Sequence, residues 1–181
     1  IATTLLGLLV VTFVISRMLP ADPVLAVVGD HASEATIEQY GIRLGLDHLR
    51  DLAATLGHPE RSTPALIVGG TNGKGSVAAL LASIARAAGL DAGLYTSPHL
   101  ENVEERIRVD GREIASADLG GLLREVTSAA RRIGHPSPTY FEAMTLSALL
   151  HFARRKVDLA VLEVGMGGRL DATNLVDARL A

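Results

Sequence analysis

The chain has 181 residues, of which 48% are hydrophobic and 20% are charged, so a buried core is available and wholesale disorder is excluded. Its net charge of −3 argues against a general nucleic-acid-binding protein, which needs a basic surface. The sequence contains no cysteine, which excludes disulfides and thiolate chemistry and fits a reducing compartment.

The first predicted element is an almost unbroken apolar stretch from Ile1 to Leu19. At about 1.5 Å of rise per residue, this stretch reaches about 28 Å, close to the thickness of the bilayer hydrocarbon. It therefore predicts a transmembrane helix at 1–19, with membrane contact through it and Arg17 at the interface. A buried core helix is the alternative, while a signal peptide is disfavoured because no basic n-region or cleavage site is visible.

From Gly41 onward, strand-like and helix-like segments alternate. The short apolar run Ala65–Val68 precedes two glycines and predicts a buried parallel strand. A helix is predicted from Gly75 to Ala88, ending at Gly89, and a second strand from Ala92 to Thr96.

The remaining elements follow the same alternation. Residues 106–114 predict a hairpin, with Asp110 and Gly111 in a type I′ turn. Thr139 opens a helix with Glu142 three residues later, which is a capping box. A third buried strand is predicted at 157–164, and Ala178 begins a further strand. Residues 41–181 therefore predict an α/β fold with a largely parallel sheet and flanking helices.

The strongest chemical signal is the segment Gly70–Ser76, which lies between a predicted strand and a predicted helix. Glycines let backbone N–H groups converge on phosphate oxygens, and the helix N-terminus adds its positive dipole end. Lys74 can neutralise phosphate charge, and the hydroxyl of Ser76 can contact phosphate or metal. The segment predicts a nucleotide-binding loop; a tight glycine turn with a solvated lysine is the alternative.

Thr-Asn-Gly-Lys in this setting resembles the ATP-binding loop of Mur-type ligases, and the ending Gly-Lys-Gly-Ser resembles the folylpolyglutamate/dihydrofolate synthase branch. Four further stretches agree with that family, at 42–47, 95–100, 105–111 and 163–174. The resemblance implies that 41–181 are part of a P-loop, Mur-ligase-like central domain that uses ATP and Mg²⁺. It also implies that a second domain and a further metal ligand would follow in the parent enzyme, so the chain by itself is expected to be inactive.

The resemblance also implies roles for individual residues. Lys74 and Glu163 would be catalytic, and Ser97 and Glu163 would ligate Mg²⁺, which prefers hard oxygen donors. The remaining implied contacts are with ATP (Thr71, Asn72, Gly73, Lys74, Gly75 and Ser76) and with the pterin substrate (Arg43, Leu44, Gly45, Leu46, Thr139 and Asp171).

Several of these residues have simpler explanations from their positions alone. Glu163 ends a predicted strand at the edge where α/β sheets bind ligands, but it is also a candidate for a structural ion pair. Ser97 is a candidate turn residue before Pro98, and the capping role explains Thr139 equally well. His99 is a candidate base or a packing residue, and the other five histidines are expected at the surface or in packing roles.

The implied reaction is ligation through an acyl phosphate. ATP would phosphorylate the carboxylate of dihydropteroate or a reduced folate, and the amine of L-glutamate would then attack. The parent enzyme is expected in the cytoplasm, with one or both synthase activities.

Residues 1–40 resemble the start of dipeptide/oligopeptide ABC-transporter permeases, on the segment Leu19–Pro23 after the apolar helix. Both families share Leu-Gly-Leu-Asp, here Leu44–Asp47, so a fusion between Glu38 and Asp47 is predicted. Two alternatives to the ligase remain: a permease remnant with ligase sequence attached, or a generic P-loop nucleotide-binding module.

Overall fold

The computed structural model describes residues 45–180, which fall within one contact-defined unit, Leu44–Ala181. The predicted membrane helix at 1–19, the permease-like segment at 1–40 and the predicted substrate contacts Arg43 and Leu44 lie outside the described residues. Within 45–180, no helix is long and apolar enough to cross a membrane.

The described residues form four α-helices and six strands, which alternate along the chain. The helices are α1 (Asp47–Thr55), α2 (Lys74–Ala87), α3 (Ser116–Arg132) and α4 (Tyr140–Arg155). The strands are β1 (Ala65–Val68), β2 (Ala92–Tyr95), β3 (Ile107–Val109), β4 (Arg112–Glu113), β5 (Leu159–Glu163) and β6 (Ala178–Leu180). Short 3₁₀ turns lie at Pro59–Arg61, Val103–Arg106 and Ala172–Leu175.

All six strands form one sheet in the order β4-β3-β2-β5-β1-β6. Strands β2, β5, β1 and β6 run parallel, whereas β3 and β4 add an antiparallel hairpin at one side. The predicted α/β architecture with a largely parallel sheet is confirmed. The carboxyl ends of β1, β5 and β2 meet at one edge, and β3 begins at that same edge because it runs in the opposite direction.

The sheet has helices on both faces, as the alternation of side chains along β5 illustrates. Ala160 and Leu162 belong to the larger core cluster, while Val161 between them belongs to a smaller cluster. The larger cluster lies against α1, α3 and α4, and the smaller one packs against alanines of α2. The sheet therefore lies between a layer formed by α1, α3 and α4 on one face and α2 on the other.

Local sequence signals correctly predicted several turns and caps. Gly89 follows α2 with φ of 84°, and the hairpin turn has φ of 52° at Asp110 and 77° at Gly111, as a type I′ turn requires. Thr139 and Glu142 form the predicted capping box. Helix α3 is an element that the sequence pattern did not predict, and its glycine pair Gly120–Gly121 explains why helix propensity there is low.

Candidate active site

The glycine-rich loop connects the end of β1 to the start of α2, as predicted. Gly73 caps α2 in a left-handed conformation, with φ of 77°, and no side chain caps the helix. The first N–H groups of the helix therefore have no side-chain acceptor, which leaves them suited to bind phosphate oxygens. The loop residues divide by exposure, with Lys74 and Gly75 half-buried and the others exposed (Thr71, Asn72, Gly73 and Ser76).

Glu163 connects this loop to the neighbouring strand end. The side chain is buried, and its Oε2 accepts a hydrogen bond from the backbone N–H of Ser97 at 2.9 Å. A Cβ atom placed on Gly75 would lie 3.3 and 3.4 Å from the two carboxylate oxygens. The glycine therefore lets the carboxylate lie directly against the first turn of α2, which explains the Lys-Gly-Ser spacing.

Ser97 has a hydroxyl and Glu163 a carboxylate, and both are hard oxygen donors of the kind that Mg²⁺ takes. Within 45–180, no group of three or more His, Cys, Asp or Glu side chains could hold a metal ion. Magnesium in nucleotide sites typically takes one or two protein oxygens and completes its shell with phosphate oxygens and water. The Ser97–Glu163 pair fits that pattern beside the predicted phosphate loop, Gly70–Ser76; Mg²⁺ binding by the pair stays a prediction.

Asp171 organises the second glycine loop, at 165–171. Its Oδ2 accepts from the N–H of Met166 at 2.8 Å, and its Oδ1 accepts from the N–H and hydroxyl of Thr173 at 2.9 and 2.6 Å. The carboxylate thus caps the following 3₁₀ turn and closes the loop. A substrate contact by Asp171 stays a prediction.

A hydrogen bond that the sequence did not predict connects the start of α1 to the start of α4. Pterin contacts are predicted at both of these places. The buried carboxylate of Glu142 bonds the N–H of Thr139 through Oε2 at 2.7 Å and Nε2 of His48 through Oε1 at 2.6 Å. Gly45 immediately precedes α1, and Leu46 is buried in front of it. The capping box revealed Glu142, but nothing in the sequence indicated His48 as its partner. Substrate contacts by Gly45, Leu46 and Thr139 stay predictions.

Tyr95 is the fully buried last residue of β2, two residues before Ser97 in the chain. The hydroxyl of Thr145 donates its single proton to the carbonyl of Phe141 at 2.9 Å, so the phenol of Tyr95, 3.2 Å away, donates to Thr145. Burial raises the pKa of Tyr95 far above its ordinary value. The phenol of Tyr95 is therefore neutral and held in one position at the end of β2.

Glu105 orders the segment after His99 by accepting three backbone hydrogen bonds. Its carboxylate oxygens lie 3.0, 2.8 and 2.7 Å from the N–H groups of Leu100, Glu101 and Asn102. These bonds favour the ionised form and lower the pKa of Glu105 to about 2. These three bonds close the segment 100–105, which follows Ser97 in the chain.

This geometry predicts a specific acid sensitivity of the loop. Because the pKa of Glu105 falls from its ordinary 4.5 to about 2 on folding, the carboxylate stabilises the fold above about pH 4.5. That stabilisation is lost as the pH falls from there towards 2. Urea unfolding at a series of pH values should show a weaker acid dependence in Glu105→Gln than in the parent chain. Glu101→Gln is the control, since Glu101 is exposed; equal acid dependence in both variants would contradict the assignment.

Comparison with known proteins shows which sequences and structures this chain is similar to. No family model matches the chain. A probable bifunctional folylpolyglutamate synthase/dihydropteroate synthase from Halobacterium salinarum is 48% identical over 144 residues, covering 78% of this chain and 18% of that protein. Over this part, the chain is similar in sequence to the folylpolyglutamate synthases.

Solved structures of the same kind of enzyme are also similar to this chain. Escherichia coli FolC in complex with DHPP and ADP superposes with a TM-score of 0.72 at 42% identity, covering 89% of this chain and 37% of that chain. A bifunctional folylpolyglutamate synthase/dihydrofolate synthase with Mn, AMPPNP and L-glutamate bound gives 0.70 at 38% identity, with the same coverage of 89% and 37%. The predicted Mur-ligase-like α/β fold is confirmed. The chain spans between 18% and 37% of the lengths of these relatives.

Proposed function

We propose that this chain supplies the nucleotide-binding part of an ATP-dependent ligase that joins L-glutamate to the carboxylate of dihydropteroate or a reduced folate. The observation that carries the proposal is the position of Glu163, whose carboxylate adjoins both Gly75 of the phosphate loop and the N–H of Ser97. The ligands of the two solved relatives, ADP with DHPP and AMPPNP with Mn and L-glutamate, support the substrate classes.

The chemistry would proceed in two transfers. An oxygen of the acceptor carboxylate attacks the γ-phosphorus of ATP, and the bond from that phosphorus to the β-phosphate oxygen breaks, giving an acyl phosphate and ADP. The amine of L-glutamate then attacks the acyl carbon, loses a proton and expels phosphate. Lys74 and the N–H groups of the first turn of α2 would orient the phosphates and stabilise the developing charge.

Ser97 and Glu163 are the residues that would hold Mg²⁺ in this mechanism. When bound, the ion neutralises charge on the β- and γ-phosphate oxygens. Glu163 also receives the N–H of Ser97, so the strand end and the following loop keep a fixed separation. Buried and hydrogen-bonded, this carboxylate is preorganised before any ligand arrives.

The metal role of Glu163 predicts a selective loss. In Glu163→Gln, the increase in ATP affinity that Mg²⁺ produces should shrink roughly tenfold, since a neutral amide binds the cation weakly. The affinity for ATP without metal should stay the same, because the amide oxygen can still accept from Ser97. Calorimetric titration of ATP with and without Mg²⁺ measures both quantities. Glu113→Gln, at a half-exposed carboxylate paired with Arg108, is the control; an undiminished Mg²⁺ effect in Glu163→Gln would contradict the role.

Binding of the acceptor substrate separates the ligase from a generic nucleotide-binding module. Both functions require ATP binding, so nucleotide titration alone does not distinguish them. A ligase part should also bind dihydropteroate or tetrahydrofolate, and this binding is measurable by calorimetry in the presence of ADP and Mg²⁺. A chain that binds ATP tightly and neither pteridine would support the generic module.

Two further proposals concern residues outside the described part. We propose that residues 1–19 contact a membrane, which flotation of the full chain with phospholipid vesicles would test. We also keep the proposed fusion between Glu38 and Asp47 with a permease-like segment, to which the comparisons give no support. Sequencing reads that run through this join in many independent genomes would exclude an artificial fusion.

A further inference from the structure

Arg106 is a buried cation at the carboxyl edge of the sheet. Only 9% of its surface is exposed, and it lies immediately before β3. Its carbonyl accepts a hydrogen bond from the N–H of Thr96 at 3.0 Å, which places its backbone beside the residue that precedes Ser97. Its Nε donates to Nδ1 of His99 at 2.9 Å, and its guanidinium carbon lies 5.4 Å from the centre of the Tyr140 ring.

No carboxylate of residues 45–180 forms an ion pair with this guanidinium. The acidic residues next to it in sequence are engaged elsewhere: Glu104 accepts from the hydroxyl of Ser116, and Glu105 accepts from three backbone N–H groups. Arg108, two residues further on, does have a partner, because it lies 3.1 Å from Glu113.

An unpaired buried guanidinium is unfavourable, since arginine stays charged at any physiological pH and loses hydration when buried. The imidazole Nδ1 of His99, which accepts from Arg106, and the face of Tyr140 offset part of that cost. Both contacts also fix the guanidinium in one orientation. Its planar set of donors matches the two oxygens of a carboxylate, which would complete the missing charge pair.

The position of Arg106 indicates which anion it would receive. Along the carboxyl edge, Lys74 follows β1, Glu163 ends β5, Ser97 follows β2, and Arg106 precedes β3. With about 4.8 Å between neighbouring strands, roughly 14 Å of sheet separates β1 from β3. The phosphate loop occupies one end of this row and Arg106 the other, with the Ser97–Glu163 pair between them.

We infer that Arg106 binds a carboxylate group of one of the ligase substrates, an inference that rests on the proposed function. Two substrates carry such a group: the pteridine acceptor and L-glutamate. Phosphate binding is disfavoured because the glycine loop and Lys74 already provide for it at the far end of the row. His99 and Tyr140 hold the guanidinium ready for the carboxylate.

The test compares Arg106→Met with Arg108→Met in the full 181-residue chain. Calorimetry measures the dissociation constants of dihydropteroate, its carboxamide analogue, L-glutamate and Mg²⁺–ATP. Arg106→Met should weaken binding of dihydropteroate or of L-glutamate by roughly 10- to 100-fold, as expected for a charged hydrogen-bonded pair. If dihydropteroate is the ligand, the carboxamide should bind the parent and Arg106→Met equally. Mg²⁺–ATP should bind every variant alike, and Arg108→Met should match the parent throughout.

The unfolding midpoint of the ligand-free chain provides a second measurement that does not depend on substrate. Arg106→Met should leave the midpoint unchanged or raise it, since an unpaired buried charge is replaced by an apolar side chain. A lowered midpoint together with unchanged binding of both carboxylate substrates would overturn the inference and make Arg106 structural. Loss of Mg²⁺–ATP binding alone would overturn it in favour of a phosphate contact. A parent chain that binds Mg²⁺–ATP but neither carboxylate substrate would instead overturn the proposed function, and with it the inference.

Discussion

Replacing Lys74 with alanine is expected to weaken ATP binding by roughly 10- to 100-fold, because a charge-assisted contact with phosphate is lost. The unfolding midpoint should hardly change, since Lys74 is the half-buried first residue of α2 and alanine is the best helix former. Calorimetric ATP titration and thermal unfolding of the same preparations measure the two effects.

Arg124→Ala is the matched control for the loss of one positive charge. Arg124 is exposed on α3, far along the chain from the phosphate loop, so its removal should leave ATP affinity unchanged. An unchanged ATP affinity in Lys74→Ala, together with a lowered midpoint, would mean that the lysine is structural. Equal losses in both variants would mean that overall charge, and not a local contact, attracts the nucleotide.

Gly165→Ala is expected to lower the free energy of unfolding by about 1–3 kcal/mol through overpacking. A Cβ atom at Gly165 would lie 2.5 and 2.8 Å from ring atoms of Phe141 and 3.1 Å from Oδ2 of Asp171. The ring cannot withdraw easily, because it packs 6.0 Å from the ring of Tyr95 and its backbone carbonyl is held by Thr145. The substitution must therefore displace the loop that Asp171 closes.

Gly121→Ala is the control for this second prediction. Gly121 lies within α3, and a Cβ atom there would meet nothing within 4 Å. Alanine at this position should raise the free energy of unfolding by about 0.5–1 kcal/mol, because glycine is a poor helix former. Urea unfolding of both variants gives the comparison. A Gly165→Ala variant as stable as Gly121→Ala would mean that the contact between Phe141 and Gly165 is looser than the distances indicate.

Sequence patterns predicted the central strands within one or two residues. Strands β1 and β5 are short apolar runs buried between helices, and Asp110 with Gly111 specifies the turn between β3 and β4. Helix α3 escaped prediction despite its buried residues at helical spacing, because Gly120 and Gly121 lower its helix propensity. Packing against α4 and α1 compensates for that cost.

The candidate site likewise has one part that the sequence predicted and another that only the tertiary structure revealed. The strand, the glycine-rich loop and the helix start around Gly70–Ser76 were predicted from sequence alone, because neighbouring residues specify them. Phosphate binding by this loop stays a prediction. The contact of Glu163 with Ser97 joins residues 66 positions apart, and it exists because β5 lies between β1 and β2 in the sheet. That Arg106 has no carboxylate partner among residues 45–180 is likewise a tertiary result. Three glutamates lie within five residues before it. Only the folded loop decides that the carboxylate of Glu104 accepts from a hydroxyl and that of Glu105 from backbone N–H groups instead. The sequence by itself determined the strand, loop and helix that we propose to bind phosphate. Strand order and loop closure decided which charged side chains are buried and which are paired, because burial and pairing depend on residues outside each local segment.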